Sequence, residues 1–189
     1  MVRENAYRTH ACADIQDGDI GRQVRVAGWV ENIRDHGGVK FLDLRDHCGV
    51  VQVVVYDEKL LDGVGRECVI SVSGSVVKRS EETYNDKIAT GTVEVRAESI
   101  TMLGACSAAL PFEVPVSTET KEDLRLKYRF LDLRNRRVHD HIVLRSQVIA
   151  YLRRKMTEMG FLEMQTPILS ASSPEGARDY LIPSRKHHG

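Results

Sequence analysis

The sequence has no stretch approaching the roughly 18 uninterrupted apolar residues that a membrane span needs. Its opening, Met1-Val2-Arg3-Glu4-Asn5-Ala6-Tyr7-Arg8, holds no apolar run of the kind a secretory leader carries. Paired cysteines are also missing. Cys12, Cys48, Cys68 and Cys106 stand far apart with no CxxC, and in a leaderless chain of this size they read as reduced, mostly structural thiols rather than a disulfide frame. There is no net charge, because 27 Lys+Arg balance 27 Asp+Glu over 189 residues. That balance argues against a globally basic nucleic-acid binder, although it can hide an uneven distribution. Internal repeats and low-complexity tracts are absent, and 42% hydrophobic with 29% charged residues is not the composition of a disordered chain. GxxxxGK(S/T), GxGxxG after a strand, GxSxG and HExxH are all missing, so no stand-alone catalytic constellation is recognisable. The expectation is a soluble, cytoplasmic chain of about one to one and a half domains, at roughly 150 residues per domain, with no membrane partner.

What is present divides into two kinds of pattern. Residues 22–103 read as β. Val24, Val26 and Val30 alternate with Arg25, Ala27 and Trp29, the period of a half-buried strand. Gly37-Gly38 turns the chain into Val39–Arg45, and His47-Cys48-Gly49 turns it again into Val50–Tyr56. Glu58–Arg66 can hold a weak helix interrupted by Gly63 and Gly65. Val69–Lys78 and Thr92–Met102 are two more strands, joined by a polar loop from Arg79 to Gly91. Five strands with a short helix before the fourth suggest an OB-type β-barrel, while an SH3-like barrel or half of a β-sandwich fits the periodicity nearly as well.

Gly104–Thr120, with Pro111 and Pro115 and little periodicity, reads as a linker. Beyond it the period becomes helical. Ile142, Ile149, Leu152, Met156 and Met159 share one helix face, and Gly160 stops that helix. Phe161–Thr166 is then expected as a short strand closed by Pro167. One helix and one strand cannot enclose a core, so this part is expected to open a larger domain or to pack on a partner. Between Arg125 and Lys155, ten basic residues face only Asp132 and Asp140, a formal excess of +8. The bland explanation of that run is a solvated helix face.

Few side chains stand out as candidates for chemistry. His139 and His141 diverge on a helix, and His187-His188 have no cysteine at ligand spacing, so no metal is expected. Glu175, Arg178 and Asp179 flank Gly176 as either a ligand-gripping lid or an exposed turn. On the putting-together of the strands, Phe41 shares a face with Asp43 and Arg45 and can stack a nucleobase, or else be one more core residue. Arg34 can hold a phosphate or stack. Gln52, within a valine run, carries the donor and acceptor needed to read a base edge, or is simply an edge residue.

These residues resemble a known family. Gly28-Trp29-Val30, Arg34-Asp35, Phe41-Leu42-Asp43-Leu44-Arg45-Asp46, Gly49-Val50-Val51-Gln52-Val53 and Thr90-Gly91-Thr92-Val93-Glu94-Val95 look like the anticodon-binding OB domain of bacterial-type aspartyl-tRNA synthetases. Arg125-Leu126-Lys127-Tyr128-Arg129-Phe130-Leu131-Asp132-Leu133-Arg134 resembles the segment joining that domain to the catalytic one. Gly160–Glu163 through Thr166-Pro167 looks like class II motif 1, and Pro174-Glu175-Gly176-Ala177-Arg178-Asp179-Tyr180 like the family's flipping loop. The resemblance implies an OB-fold anticodon domain over 1–103, a linker with a basic helical segment over 104–138, and over 139–189 the incomplete start of an α+β class II catalytic domain.

By the same resemblance, Phe41 would stack on the middle anticodon uridine of tRNA(Asp) and Gln52 would hydrogen-bond it. Glu94 would contact the first anticodon base, Arg34 the anticodon loop, and Asn85 would assist from the loop between the last two strands. His36 stands where many strict members carry leucine, and members with histidine there tend to accept tRNA(Asn) as well; Thr83 lies in a loop that also bears on this choice. The α-helical stripe and Pro167 would form a homodimer interface, and Glu175 would meet the ammonium of L-aspartate. The family reaction joins L-aspartate to ATP with Mg²⁺, giving aspartyl-adenylate and pyrophosphate, and then transfers the aspartyl group to the 3′ end of the tRNA. Its motif 2 and motif 3 arginines would lie beyond Gly189, so the isolated chain is expected to show no pyrophosphate exchange above background. A free-standing OB module that binds tRNA without catalysis is the alternative.

Overall fold

A computed structural model describes residues 5–106, 109–168, 182, 183 and 186. The chain divides into two compact units, residues 1–135 and 136–189.

Five strands build the first unit. They are β1 (Gln23–His36), β2 (Val39–Arg45), β3 (Val50–Val55), β4 (Val69–Lys78) and β5 (Val93–Gly104). Their pairings run β1-β2-β3-β5-β4 and back to β1, so the sheet closes on itself, with every pair antiparallel except β3 with β5. Closure leaves no unpaired strand edge and fills the interior with alternate side chains. Val26, Val30, Leu42, Leu44, Val53, Ile70, Val72 and Val95 form much of that core, all fully buried. The Gly37-Gly38 turn has φ of +64° and +90°, the left-handed geometry a two-residue hairpin loop requires, and the Gly38 N–H donates to the Asp35 carboxylate at 3.1 Å. Gly28 is needed for a different reason. A Cβ there would sit 2.2 Å from the carbonyl oxygen of Arg45, so no side chain fits without moving backbone.

One irregularity decides which residues face outward. Trp29 pairs with Arg45 and Val30 with Leu44, but Asn32 pairs with Asp43, leaving Glu31 as an extra residue in β1. A bulge of this kind shifts the alternation by one. Before it Val24, Val26 and Val30 point inward; after it Ile33 packs on the core and Arg34 lies opposite Phe41 on the outer face. The expected helix over Glu58–Arg66 is a single 3-10 turn, Glu58–Leu61, opened by the Asp57 carboxylate accepting from Lys59 N–H at 3.0 Å. Gly63, at φ +71°, ends any continuation.

Residues 104–135 fold within the same unit as the barrel. A 3-10 segment (Val114–Glu119) and two short helices, α1 (Glu122–Lys127) and α2 (Arg129–Asp132), enclose a small cluster of Phe112, Val114 and Leu131. At its centre the Asp132 carboxylate, fully buried, accepts from Ser117 Oγ at 2.8 Å, from Arg125 Nε and Nη2 at 3.0 and 3.2 Å, and from Arg129. Asn135 Nδ2 donates to the carbonyls of Val114 and Pro115 at 3.0 and 2.9 Å. Arg134 binds this segment back to the barrel, its guanidinium 4.6 Å from the Trp29 ring and 3.4 Å from Glu67, which Arg45 also grips at 2.8 Å.

In the second unit, α3 (Arg136–Glu158) carries the apolar stripe, with Ile142, Ile149, Leu152, Met156 and Met159 exposed. It ends as the glycine predicts. Gly160 has φ +89°, its N–H donates to Thr157 O at 3.0 Å, and Phe161 N–H donates to Met156 O at 3.0 Å, a Schellman closure. The strand expected over Phe161–Thr166 is not formed; the segment is irregular and pairs with no neighbour among the described residues. An extended segment becomes a strand only when a ladder satisfies its backbone groups. None of the described helices is long and apolar enough to cross a membrane.

Candidate nucleic-acid interface

The bulge in β1 brings three of the sequence-predicted residues into one hydrogen-bonded row on the outer face of the barrel. Arg34 Nη2 donates to Asp43 Oδ1 at 2.6 Å and to Gln52 Oε1 at 3.2 Å. Gln52 Nε2 donates to Glu94 Oε2 at 2.7 Å. The row therefore crosses from β1 through β2 and β3 to β5, and it fixes which end of the Gln52 amide faces which neighbour. Phe41 lies beside it, opposite Arg34 in register and half-buried. The His36 and Phe41 rings meet in a T-shaped arrangement with centroids 5.7 Å apart and planes at 71°, so the candidate for tRNA choice touches the candidate for stacking. Burial pushes the Asp43 carboxyl above its ordinary pKa, opposed by the charges of Arg34 and Arg79 and by hydrogen bonds from Asn32 and Arg34.

Arg79 was not indicated by the sequence. It follows β4 directly, its side chain is 7% exposed, and Nε lies 4.0 Å from Glu94 Oε2. Its Nε and Nη1 are buried and have no hydrogen-bond partner among the described residues. A buried guanidinium with two unpartnered nitrogens is costly to the barrel, partly offset by the Glu94 charge.

Asn85 and Thr83 do not join the row. The Asn85 carboxamide oxygen accepts from Lys87 N–H at 3.1 Å, closing its own turn, and Thr83 Oγ1 donates to Ser80 O at 2.9 Å. Pro167 is exposed on the irregular segment after α3, and Glu175 lies outside the described residues. Much of the basic excess between Arg125 and Lys155 is internally engaged: Arg125 and Arg129 on Asp132, Arg134 on Glu67, Arg136 on Asp140 at 3.4 Å and Arg153 on Glu163 at 2.9 Å.

One group of potential metal ligands occurs among the described residues. Donor atoms of Asp46, His47 and Cys48, at the β2–β3 turn, lie within 4.8 Å of one another. The Asp46 carboxylate is already committed, accepting from Cys48, Gly49 and Cys12 N–H at 2.8, 3.1 and 2.9 Å. Burial first, then the Asp46 charge, raises the pKa of both Cys12 and Cys48, keeping the thiols protonated. The arrangement is that of a capped turn.

Two family models match the chain. One describes an OB-fold nucleic acid binding domain and covers residues 24–103; the other describes class II tRNA synthetases (D, K and N) and covers residues 121–189. The chain is thus similar to the class II tRNA synthetases of that group over their anticodon-binding OB domain and the start of their catalytic domain. The aspartate–tRNA(Asp/Asn) ligase of Zymomonas mobilis is 51% identical over 189 residues, covering 98% of this chain and 32% of that protein. The enzyme of the same name from Prosthecochloris aestuarii is 50% identical over 191 residues, covering 98% and 31%. The chain thus spans about a third of the length of these relatives. Among solved structures, asparaginyl-tRNA synthetase from Pyrococcus horikoshii complexed with asparaginyl-adenylate is similar with a TM-score of 0.73 at 27% identity, over 88% of this chain and 38% of that one.

Proposed function

We propose that this chain is the anticodon-reading part of an aspartate–tRNA ligase that takes both tRNA(Asp) and tRNA(Asn). The observation that carries this reading is the Arg34–Gln52–Glu94 row beside Phe41 on the outer face of the barrel. An open aromatic ring accepts a base face, and the Gln52 amide, its orientation preset by Arg34 and Glu94, meets the edge of that base. Arg79 Nε and Nη1, buried and without a partner among the described residues, would donate to a neighbouring base or phosphate once RNA binding uncovers them. His36 acts as a positioning residue through its edge contact with Phe41, setting how much room the stacked nucleotide has.

The remaining assignments extend the same reading. The exposed stripe on α3 and Pro167 would pair with a second copy, and Glu175 would hold the L-aspartate ammonium. ATP supplies the adenylate group of the proposed reaction, and Mg²⁺ would shield its phosphates. No group of the described residues fits Mg²⁺, since the Asp46 carboxylate is taken up by backbone N–H groups, and the residues of this chain contribute tRNA binding to the reaction. Phe41→Ala and Gln52→Ala are each expected to weaken binding of a tRNA(Asp) anticodon stem-loop by about 1–3 kcal/mol with the barrel still folded by circular dichroism. Unchanged binding in both variants would remove the anticodon assignment.

A further inference from the structure

The outer-face cations nearest Phe41 in β1 and β2, Arg34 and Arg45, are neutralised. Arg34 pairs with Asp43 at 2.6 Å, and Arg45 with Glu31 at 2.7 Å and Glu67 at 2.8 Å. Arg96, on β5, is different. It is exposed, makes no ion pair among the described residues, and lies with its guanidinium 5.1 Å from the centroid of the Tyr56 ring. Tyr56 follows β3 directly, is 57% exposed, and continues in sequence the outward parity of Gln52 and Val54.

Register ties the pair to the candidate interface. Arg34 lies opposite Phe41, Phe41 opposite Val54, and Val54 beside Arg96, so Arg96 stands on the row that carries the stacking candidate, two strands and about 10 Å away. Val54 is buried yet takes no part in the barrel core, a small apolar floor between the two aromatics. An exposed ring held against an unneutralised guanidinium is the equipment for single-stranded nucleic acid: the ring stacks a base without regard to its identity, and the cation takes the phosphate.

We propose that Tyr56 and Arg96 form a second stacking-and-phosphate clamp for the anticodon-loop nucleotide next to the one stacked on Phe41. This rests on the reading of the barrel face as the anticodon site, and deepens it by lengthening the bound strand. The contact is sequence-tolerant, so it adds affinity and holds the strand extended while Gln52 and its neighbours read bases.

The test uses the 189-residue chain and an anticodon stem-loop RNA carrying 2-aminopurine at successive loop positions. Tyr56→Ala is expected to weaken binding about 5- to 150-fold, the loss of one base–aromatic stack, and Tyr56→Phe to bind as the parent does. Arg96→Gln is expected to reduce the slope of log affinity against log salt by about 0.7, one single-strand phosphate. The probe beside the Phe41 position should be quenched on binding and brighten in Tyr56→Ala, but not in Phe41→Ala. If Phe41→Ala weakens binding while Tyr56→Ala and Arg96→Gln change neither affinity nor salt slope, the clamp is wrong and the anticodon reading stands. If Phe41→Ala is also silent, both fall.

Discussion

Replacing Asp132 by asparagine is expected to destabilise the first unit by about 3 kcal/mol. Asp132 is the one carboxylate inside the 104–135 segment that receives Arg125, Arg129 and Ser117, and it is fully buried. Removing one partner of a buried charge pair costs about 3–5 kcal/mol, because the other charge is left unpaired. The low end applies here, since the Arg125 and Arg129 side chains are 23% and 43% exposed and can recover some water. The pH dependence follows from the same contacts. Burial alone would raise the carboxyl, but the Arg125 and Ser117 hydrogen bonds and the two arginine charges outweigh it and hold the pKa below the ordinary value. A lowered folded-state pKa gives stability that is complete above about pH 4, the unfolded value, and is lost as pH falls through the folded one. Denaturant titrations from neutral to acid pH should show the parent losing this contribution in acid and Asp132→Asn lacking it throughout. A variant as stable as the parent at neutral pH would mean that the segment is held by Phe112, Val114 and Leu131 alone.

Arg79→Met should move stability and binding in opposite directions. The buried Nε and Nη1 donors lack partners, and each such group costs about 1–3 kcal/mol. Glu94, 4.0 Å away, offsets part of that by charge, and it keeps its hydrogen bond from Gln52 when Arg79 is gone. Methionine fills a similar length without polar atoms. The free chain is therefore expected to be as stable as the parent or more so by about 1 kcal/mol. Stem-loop affinity is expected to fall at least tenfold, since hydrogen bonds from a charged donor contribute about 1.5–3 kcal/mol. Urea unfolding and stem-loop titration read the two effects separately. Parallel loss of both would make Arg79 a structural residue of the loop that follows β4.

The barrel was largely legible in the sequence because each strand has one buried face and period-2 alternation reports it directly. Both glycine devices, the Gly37-Gly38 turn and the Gly160 helix stop, were also visible, since positive φ is a local requirement. The bulge at Glu31 left only a faint mark, the apolar positions passing from even (Val26, Val30) to odd (Ile33). Arg79 left none: a basic residue at the start of a polar loop looks solvated until the third dimension buries it. The core of residues 104–135 was hidden for a related reason. Phe112, Val114 and Leu131 follow no helical or strand period, and Asp132 sits in a run that reads as a charged surface. Asn85 and Thr83 were placed in their loop by resemblance, and nothing in the sequence signalled the turn hydrogen bonds that their side chains make there.

The most direct test is the affinity of this chain for the anticodon stem-loop of tRNA(Asp), compared with the same RNA carrying a replaced middle uridine, at two salt concentrations. Base readout through Phe41 and Gln52 predicts a loss of about 1–3 kcal/mol on replacement that persists at high salt. Equal affinity for the two RNAs, falling together as salt rises, would mean that basic side chains engage phosphates alone and would contradict an anticodon-reading barrel.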